Sequence, residues 1–416
     1  MTRETWFRAA RAAAALAVVA AVGVGADCHL IAPTNHDITV GPGFSDVGPH
    51  QVVRTTAGLL YTVTATCKFF PTCGSTNTIL VHKGDQIGTP TAFTAVGNSQ
   101  DVGVQIGAVA IAIDGQDRIH ALWVQRDGFV RYGIFDTATD SWGSIEAIEA
   151  TNWTDFSQGD QGVALALDSA GTPYAAWSIR PAQGSPLALR IHFARRLAGG
   201  WESPIDVSDV IDCEPATVDC GAWHPTIGFR PNGDLFLAWE TSSFAYERDG
   251  WIRIRLRTAA GNWLPSARIE EHSLGGLDDG PAMIVTGDGV AHITFVNFNY
   301  IARYYYNDGL GWKGDHQPAE MATHDPSIGP DGSGGIRIYA HGPPPPSDPA
   351  GEGVDVFSIR RPRGGAFDAE WTLYVAGHYD SSISTRWSQF FHAEPWNVDL
   401  IYWTRHSPNE LHLGVN

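Results

Sequence analysis

An all-β chain of repeated four-stranded antiparallel sheets is what this sequence predicts, and three observations predict it. One unit, an apolar run, a turn and a second apolar run ending in an aromatic, recurs about every 56 residues along the chain. Gly and Pro are abundant, 46 and 25 residues, without the regular Gly spacing of a fibrous chain. The runs are also too apolar to alternate, which is how strands of a sheet buried on both faces read. Such sheets stacked around an axis form a β-propeller.

In chain order, residues 1–26 read as an export leader: Arg3, Arg8 and Arg11 precede an uncharged stretch from Ala12 to Ala26. That stretch is shorter than the roughly 20 apolar residues a spanning helix needs. The reading is therefore no membrane span, a secreted or periplasmic location, and one mature domain over residues 27–416. Cys28 follows the cleavage point, where a lipid-modified cysteine would sit, although Asp27 is a poor residue before such a site. The other four cysteines fall into close pairs, Cys67 with Cys73 and Cys213 with Cys220, as loop-stapling disulfides of an oxidising compartment do.

The repeats begin after the leader. Val109 to Ile113, Asp114-Gly115 and His120 to Trp123 form one unit; Val163 to Leu167, Asp168 to Gly171 and Tyr174 to Trp177 form the next. Thr226 to Phe229 with Phe236 to Trp239, and Met283 to Val285 with His292 to Phe295, continue the series. Third runs follow, such as Phe129 to Tyr132 and Leu189 to Phe193, and fourth runs open on Trp142, Trp201, Trp263, Trp312 and Trp371. Second strands at Leu60, Ile119, Pro173, Leu235, Ala291, Ile336 and Asp399 count seven units. The expectation is a seven-bladed propeller, its last blade completed by the N-terminal strand at Asp37 to Val40 so that no sheet edge stays open. In that phase Trp123, Trp177 and Trp239 are buried at matching positions.

A second periodic signal precedes the first strands: Asp46-Val-Gly48, Asp101-Val-Gly103, Asp160-Gln-Gly162, Asp219-Cys-Gly221 and Asp278-Asp-Gly280. These read either as carboxylate-stabilised turns or as a ring of carboxylates at the axial mouth. The ring would admit a structural divalent cation; no cofactor is otherwise required. The formal charge of -18, with only 27 Lys and Arg spread over the chain, argues against a nucleic-acid partner.

Units running from a first strand through Asp-x-x-Gly to an aromatic-ended second strand, as from Leu167 through Asp168 and Gly171 to Trp177, resemble the Asp-box (BNR) propellers related to sialidases. A weaker resemblance is to secreted polysaccharide lyases built on propellers, which use His, Tyr and Arg on neighbouring blades. It implies a base, an acid and a partner for a uronate carboxylate; His120, Tyr174 and Arg190 supply those residue types on adjacent units. His120 and Tyr174 also share their position with Phe236 and His292, as packing residues do.

Polar residues at or just before the first strands would face the channel: Gln105, and, as candidate substrate-binding residues, Gln161, Trp223, His224, His324, Asp325, Arg386 and Trp387. Trp223-His224-Pro225 and His324-Asp325-Pro326 stand out, because Pro fixes the turn beside an aromatic or imidazole wall. His224, His324 and Asp325 are also the residue types of a mononuclear metal site. The functional expectation is a monomeric carbohydrate-active propeller that takes a polysaccharide or glycoconjugate and cleaves an acidic polysaccharide by β-elimination. A lectin-like glycan binder and a protein-binding surface propeller are the alternatives.

Overall fold

The computed structural model describes residues 38–42, 50–65, 78–98 except 89, 106–150 except 126–127, 162–179, 189–209, 220–273 except 244–245, 280–342 except 298 and 332, 354–379, 400–404 and 410–414. The leader, Cys28, Cys67, Cys73, Cys213, the Cys220 side chain and the Asp members of the mouth series lie outside the described residues. Every regular element among the described residues is a strand, and all strand pairs are antiparallel. No helix among the described residues is long and apolar enough to cross a membrane.

Among the described residues the strands form six sheets, not seven. Blade 1 comprises His50–Arg54, Leu59–Ala65, Ile79–Ile87 and Phe93–Asn98. Blade 2 comprises Ile106–Ile113, Arg118–Gln125 and Phe129–Asp136, with a fourth strand split into Ser141–Trp142 and Glu146–Ala150. Blade 3 repeats that split: Val163–Leu167, Pro173–Ile179, Arg190–Leu197, then Gly200–Trp201 and Ile205–Asp206. Blade 4 holds Cys220–Phe229, Leu235–Ser243, Tyr246–Arg257 and Ala267–Ser273. Blade 5 holds Ala282–Val285, Ala291–Val296, Ala302–Asn307 and Trp312–Lys313. Blade 6 holds His324–Pro330, Ile336–His341, Val354–Arg361 and Thr372–Tyr379.

The expected seventh unit is the correction. Its strands, Leu400–Thr404 and Glu410–Gly414, do not build a sheet of their own but extend blade 6, joined to it at Tyr379 and Thr404. A lone hairpin is marginal in water, and the outer edge of blade 6 offers it unpaired backbone groups. The N-terminal strand Ile38–Pro42 pairs with Glu410–Gly414, so the two ends of the described chain do meet, on this enlarged sheet.

The core lies between sheets. Val53, Tyr61 and Val63 of blade 1 meet Val109, Ile111 and Trp123 of blade 2, and similar apolar clusters fill each following seam through blade 6. Each blade is thus buried on both faces, which is why its strands read as continuous apolar runs. Trp123, Trp177 and Trp239 are fully buried at matching positions, each in the seam with the preceding blade. Truncating an indole so placed to Ala would cost about 3–5 kcal/mol.

The Asp turns close the first hairpins. Asp168 Oδ1 accepts from the backbone N–H of Ala170 and Thr172, and Gly171 takes the left-handed backbone, φ 79°, that closes the loop. Antiparallel pairing puts all such turns at one end of the blades, the turn face. The starts of the first strands, the ends of the second and the starts of the third lie at the opposite end, the mouth face.

Candidate functional site

The proposed catalytic trio separates on this frame. Tyr174 pairs with Arg195 and Ile179 with Arg190, five residues further along the same strand. At about 3.3 Å per residue, Tyr174 and Arg190 stand roughly 17 Å apart, at opposite ends of blade 3. His120, like Tyr174, sits near the turn face. The structure does not bring these three together.

Each has local partners that account for it. His120 is 2% exposed, its Nδ1 2.5 Å from the Tyr132 hydroxyl and its Nε2 3.2 Å from Asp114 Oδ2. Burial drives its pKa down from the ordinary histidine value. Burial alone would raise Asp114, but bonds from His120 and Arg118 outweigh it and hold the carboxyl well below its usual range. Tyr174 is buried between the rings of Phe193 and Phe229, with the Arg257 guanidinium 5.7 Å from its centroid. Arg190 bonds the Ser208 carbonyl and approaches Asp206 at 3.9 Å.

The mouth end of blade 4 brings a histidine and a carboxylate together. Trp223 pairs with Glu240 and Thr226 with Ala238, so a bulge at His224 and Pro225 interrupts the register. His224 adopts φ 47°, a left-handed backbone rare for a residue with a Cβ and further disfavoured before proline. Such outliers cost of order 1–3 kcal/mol and persist only where the surroundings impose them. The bulge re-aims the imidazole: its Nδ1 lies 3.4 Å from Glu240 Oε2, a carboxylate only 1% exposed. A buried carboxylate is costly without a partner, so the pair holds imidazole and carboxylate to one geometry.

Blade 4 is extended around this pair. Three more register pairs, Ala222 with Thr241, Gly221 with Ser242 and Cys220 with Ser243, carry its first hairpin beyond Trp223. Its third strand runs 12 residues against 8 in blade 3 and 6 in blade 5. Trp251, opposite Thr241, is covered by the Arg268 guanidinium 3.8 Å from its ring. Trp223 itself is buried in the seam between blades 2 and 3, anchoring the backbone from which His224 departs.

Other predicted mouth residues are only partly placed. His324 and Asp325 open the first strand of blade 6 at the register of Trp223 and His224: His324 pairs with His341, and a bulge precedes Ser327. Their side chains, and Gln105, Gln161, Arg386 and Trp387 entirely, lie outside the described residues. Among the described residues no group of three or more His, Cys, Asp or Glu is disposed to hold a metal.

The residues that sequence reasoning missed are Glu240, Trp251 and Arg268. Glu240 had one signal, a carboxylate next to the aromatic that ends an apolar second strand, where the sister units carry Val124, Ser178 and Val296.

No protein-family model matches the chain, and no curated protein matches it in sequence. Among solved structures, a lectin from Burkholderia pseudomallei aligns with a TM-score of 0.60 at 12% identity, covering 89% of this chain and 96% of the lectin. An α-L-arabinanase from Penicillium chrysogenum aligns with a TM-score of 0.52 at 13% identity, covering 74% and 94%. An α-L-arabinofuranosidase from Fusarium graminearum aligns at 0.51 and 14% identity, covering 78% and 97%. At such identities the likenesses establish the β-propeller fold.

Proposed function

We propose that this is an exported, carbohydrate-active propeller that takes a polysaccharide at the mouth end of blade 4, with His224 as its proton-transfer group. The observation that carries the reading is the strained His224 held against the buried Glu240 carboxylate. A carboxylate bonded to one imidazole nitrogen fixes the tautomer and stabilises the imidazolium formed on proton uptake. The other nitrogen, Nε2, is buried in this structure and would be the base.

Elimination beside a uronate carboxylate suits this pair. The base takes the proton next to the carboxylate, its electrons form the new double bond, and the bond to the leaving sugar oxygen breaks as that oxygen gains a proton. Hydrolysis instead uses two carboxyls about 5–9.5 Å apart. Among side chains described at this end, Glu240 is accompanied by a histidine. The three aligned structures are carbohydrate binders or carbohydrate-cleaving enzymes by description, which agrees with a saccharide ligand. Binding without turnover is a second reading, favoured by the shallow exposure of the His224 side chain, 14%.

The test is incubation with a panel of uronate-containing and neutral polysaccharides, following the ultraviolet absorbance of an unsaturated product together with reducing ends. A rise in both is expected. Reducing ends alone would overturn elimination in favour of hydrolysis. Silence on both with retention on a glycan array would leave the binding reading, and silence on all three would overturn a carbohydrate role.

A further inference from the structure

Three consecutive copies of the Asp-x-Gly signal place their glycines against the segment Trp223-His224-Pro225, Gly221 also against Leu189. A Cβ added to Gly280 would lie 2.5 Å from the Cβ and 2.8 Å from the Cγ of His224. One added to Gly162 would lie 2.5 Å from the His224 Cα and 2.8 Å from Pro225 Cδ. One added to Gly221 would meet the Leu189 N at 2.9 Å and the Trp223 Nε1 at 3.1 Å. These glycines come from the approach to blade 5, the approach to blade 3, and blade 4 itself. None of the three has a left-handed φ, so no turn demands glycine there. Close approach does.

We infer that Gly162, Gly221 and Gly280 are positioning residues that together mould Trp223 and His224, holding the imidazole against Glu240 from both neighbouring blades. Gly162 bears on the backbone of His224 and stops it relaxing out of its left-handed conformation. Gly280 bears on the imidazole side, whose Nδ1 lies 3.4 Å from Glu240 Oε2. Gly221 admits the Trp223 indole beneath. A Cβ at Gly280 would have to displace the ring; a Cβ at Gly162 would have to displace the strand. The repeat thus serves two ends along the chain: in blades 3 to 5 its glycine shapes one site rather than each blade's own turn. The role in turnover rests on the function proposed above, but the placement of the imidazole does not.

The experiment is NMR titration of the histidine side chains in Gly280→Ala and Gly162→Ala, with His224 assigned from His224→Asn. Gly171→Ala is the control, since Gly171 has φ 79° and open space around it. It should lower Tm and leave the His224 signal in place. Gly280→Ala should move the His224 resonance and its titration midpoint while the signals of buried His120 and His292 stay fixed. Should Gly280→Ala fold poorly, the double variant Gly280→Ala with His224→Gly removes both the ring and the left-handed penalty, and is expected to recover most of the lost Tm. Unchanged His224 signals in both folded single variants would overturn the inference. So would a Gly280→Ala loss of Tm that is the same with and without His224. Neither readout requires a polysaccharide, so a silent substrate panel would sink the proposed function and leave this inference standing.

Discussion

His292 and Tyr304 hold a 2.6 Å bond between imidazole Nδ1 and phenol oxygen, buried in blade 5, which repeats the bond of His120 to Tyr132 in blade 2. Arg361 donates to the Tyr304 hydroxyl, which leaves the phenolic proton for His292 Nδ1. The imidazole proton then sits on Nε2, facing Thr286 Oγ1 at 3.2 Å, and Thr286 donates in turn to Asp288. The ring is therefore held neutral.

Acid sensitivity follows from that neutrality. Burial pushes the His292 pKa down to about 3, whereas in the unfolded chain it returns toward 6.5. Between those values the unfolded chain binds a proton that the folded chain refuses, so stability is full above pH 6.5 and falls as pH falls toward 3. At pH 5 the loss is about 2 kcal/mol. His292→Phe places here the residue type blade 4 carries as Phe236, and should flatten the dependence of urea midpoint on pH across this window. An unchanged slope would mean that His292 already titrates in the folded protein.

Gln51 performs the work of a strand between blades 1 and 2. Its amide donates to the Val109 carbonyl at 2.8 Å and accepts from the Ile111 N–H at 2.7 Å, with the side chain 4% exposed. Gln51→Leu keeps comparable bulk but leaves both backbone groups buried without partners, at about 2–4 kcal/mol. Gln51→Glu can still accept from Ile111 but turns an oxygen on an oxygen, so it should be no milder. Urea unfolding measures both; a loss under about 0.5 kcal/mol, the scale of an ordinary surface substitution, would refute the bridge.

Cations at the ends of third strands cap the aromatics of the blade before. Arg361 lies 5.3 Å from the Tyr304 centroid and 4.9 Å from that of Tyr306, and Arg196 lies 5.5 Å from that of Tyr132. Arg361 is buried and also bonds the Tyr304 hydroxyl, so Arg361→Met should cost about 2–3 kcal/mol. Arg196 is more exposed and shares its charge with Glu146, so Arg196→Met should cost about 1 kcal/mol. Equal losses would show that burial does not grade these contacts.

How much was legible in the sequence follows from how each feature is encoded. Trp123, Trp177 and Trp239 were readable because the blade seam imposes the same indole on successive repeats. The blade count was not, because Leu400–Thr404 carries a strand pattern whichever sheet edge it joins, and pattern does not name the partner. His120 was ambiguous in the sequence because an imidazole bonded to a buried phenol and one bonded to a mouth carboxylate look alike in one dimension. His224 was visible beside Pro225, yet Glu240 lies 16 residues away and meets it only through the register of two strands. The glycines at 162 and 280 read as turns, since close approach between blades leaves the same letter as a left-handed φ.

Glu240→Gln isolates the proposed chemistry. The amide oxygen can still accept from His224 Nδ1, so the imidazole keeps its place, but the negative charge that stabilises its protonated form is gone. Turnover should fall about 10²–10⁴-fold, the range by which positioned acid–base groups contribute, with KM little changed. Removing a buried charge bonded to a histidine should not lower Tm greatly, because the neutral amide is cheaper to bury. His224→Ala should lose as much turnover, and the double variant no more than either alone, as groups acting as one unit do. Additive losses would show that Glu240 and His224 act separately. A collapse of Tm in Glu240→Gln would make Glu240 a structural carboxylate and move the proton transfer elsewhere on the mouth face.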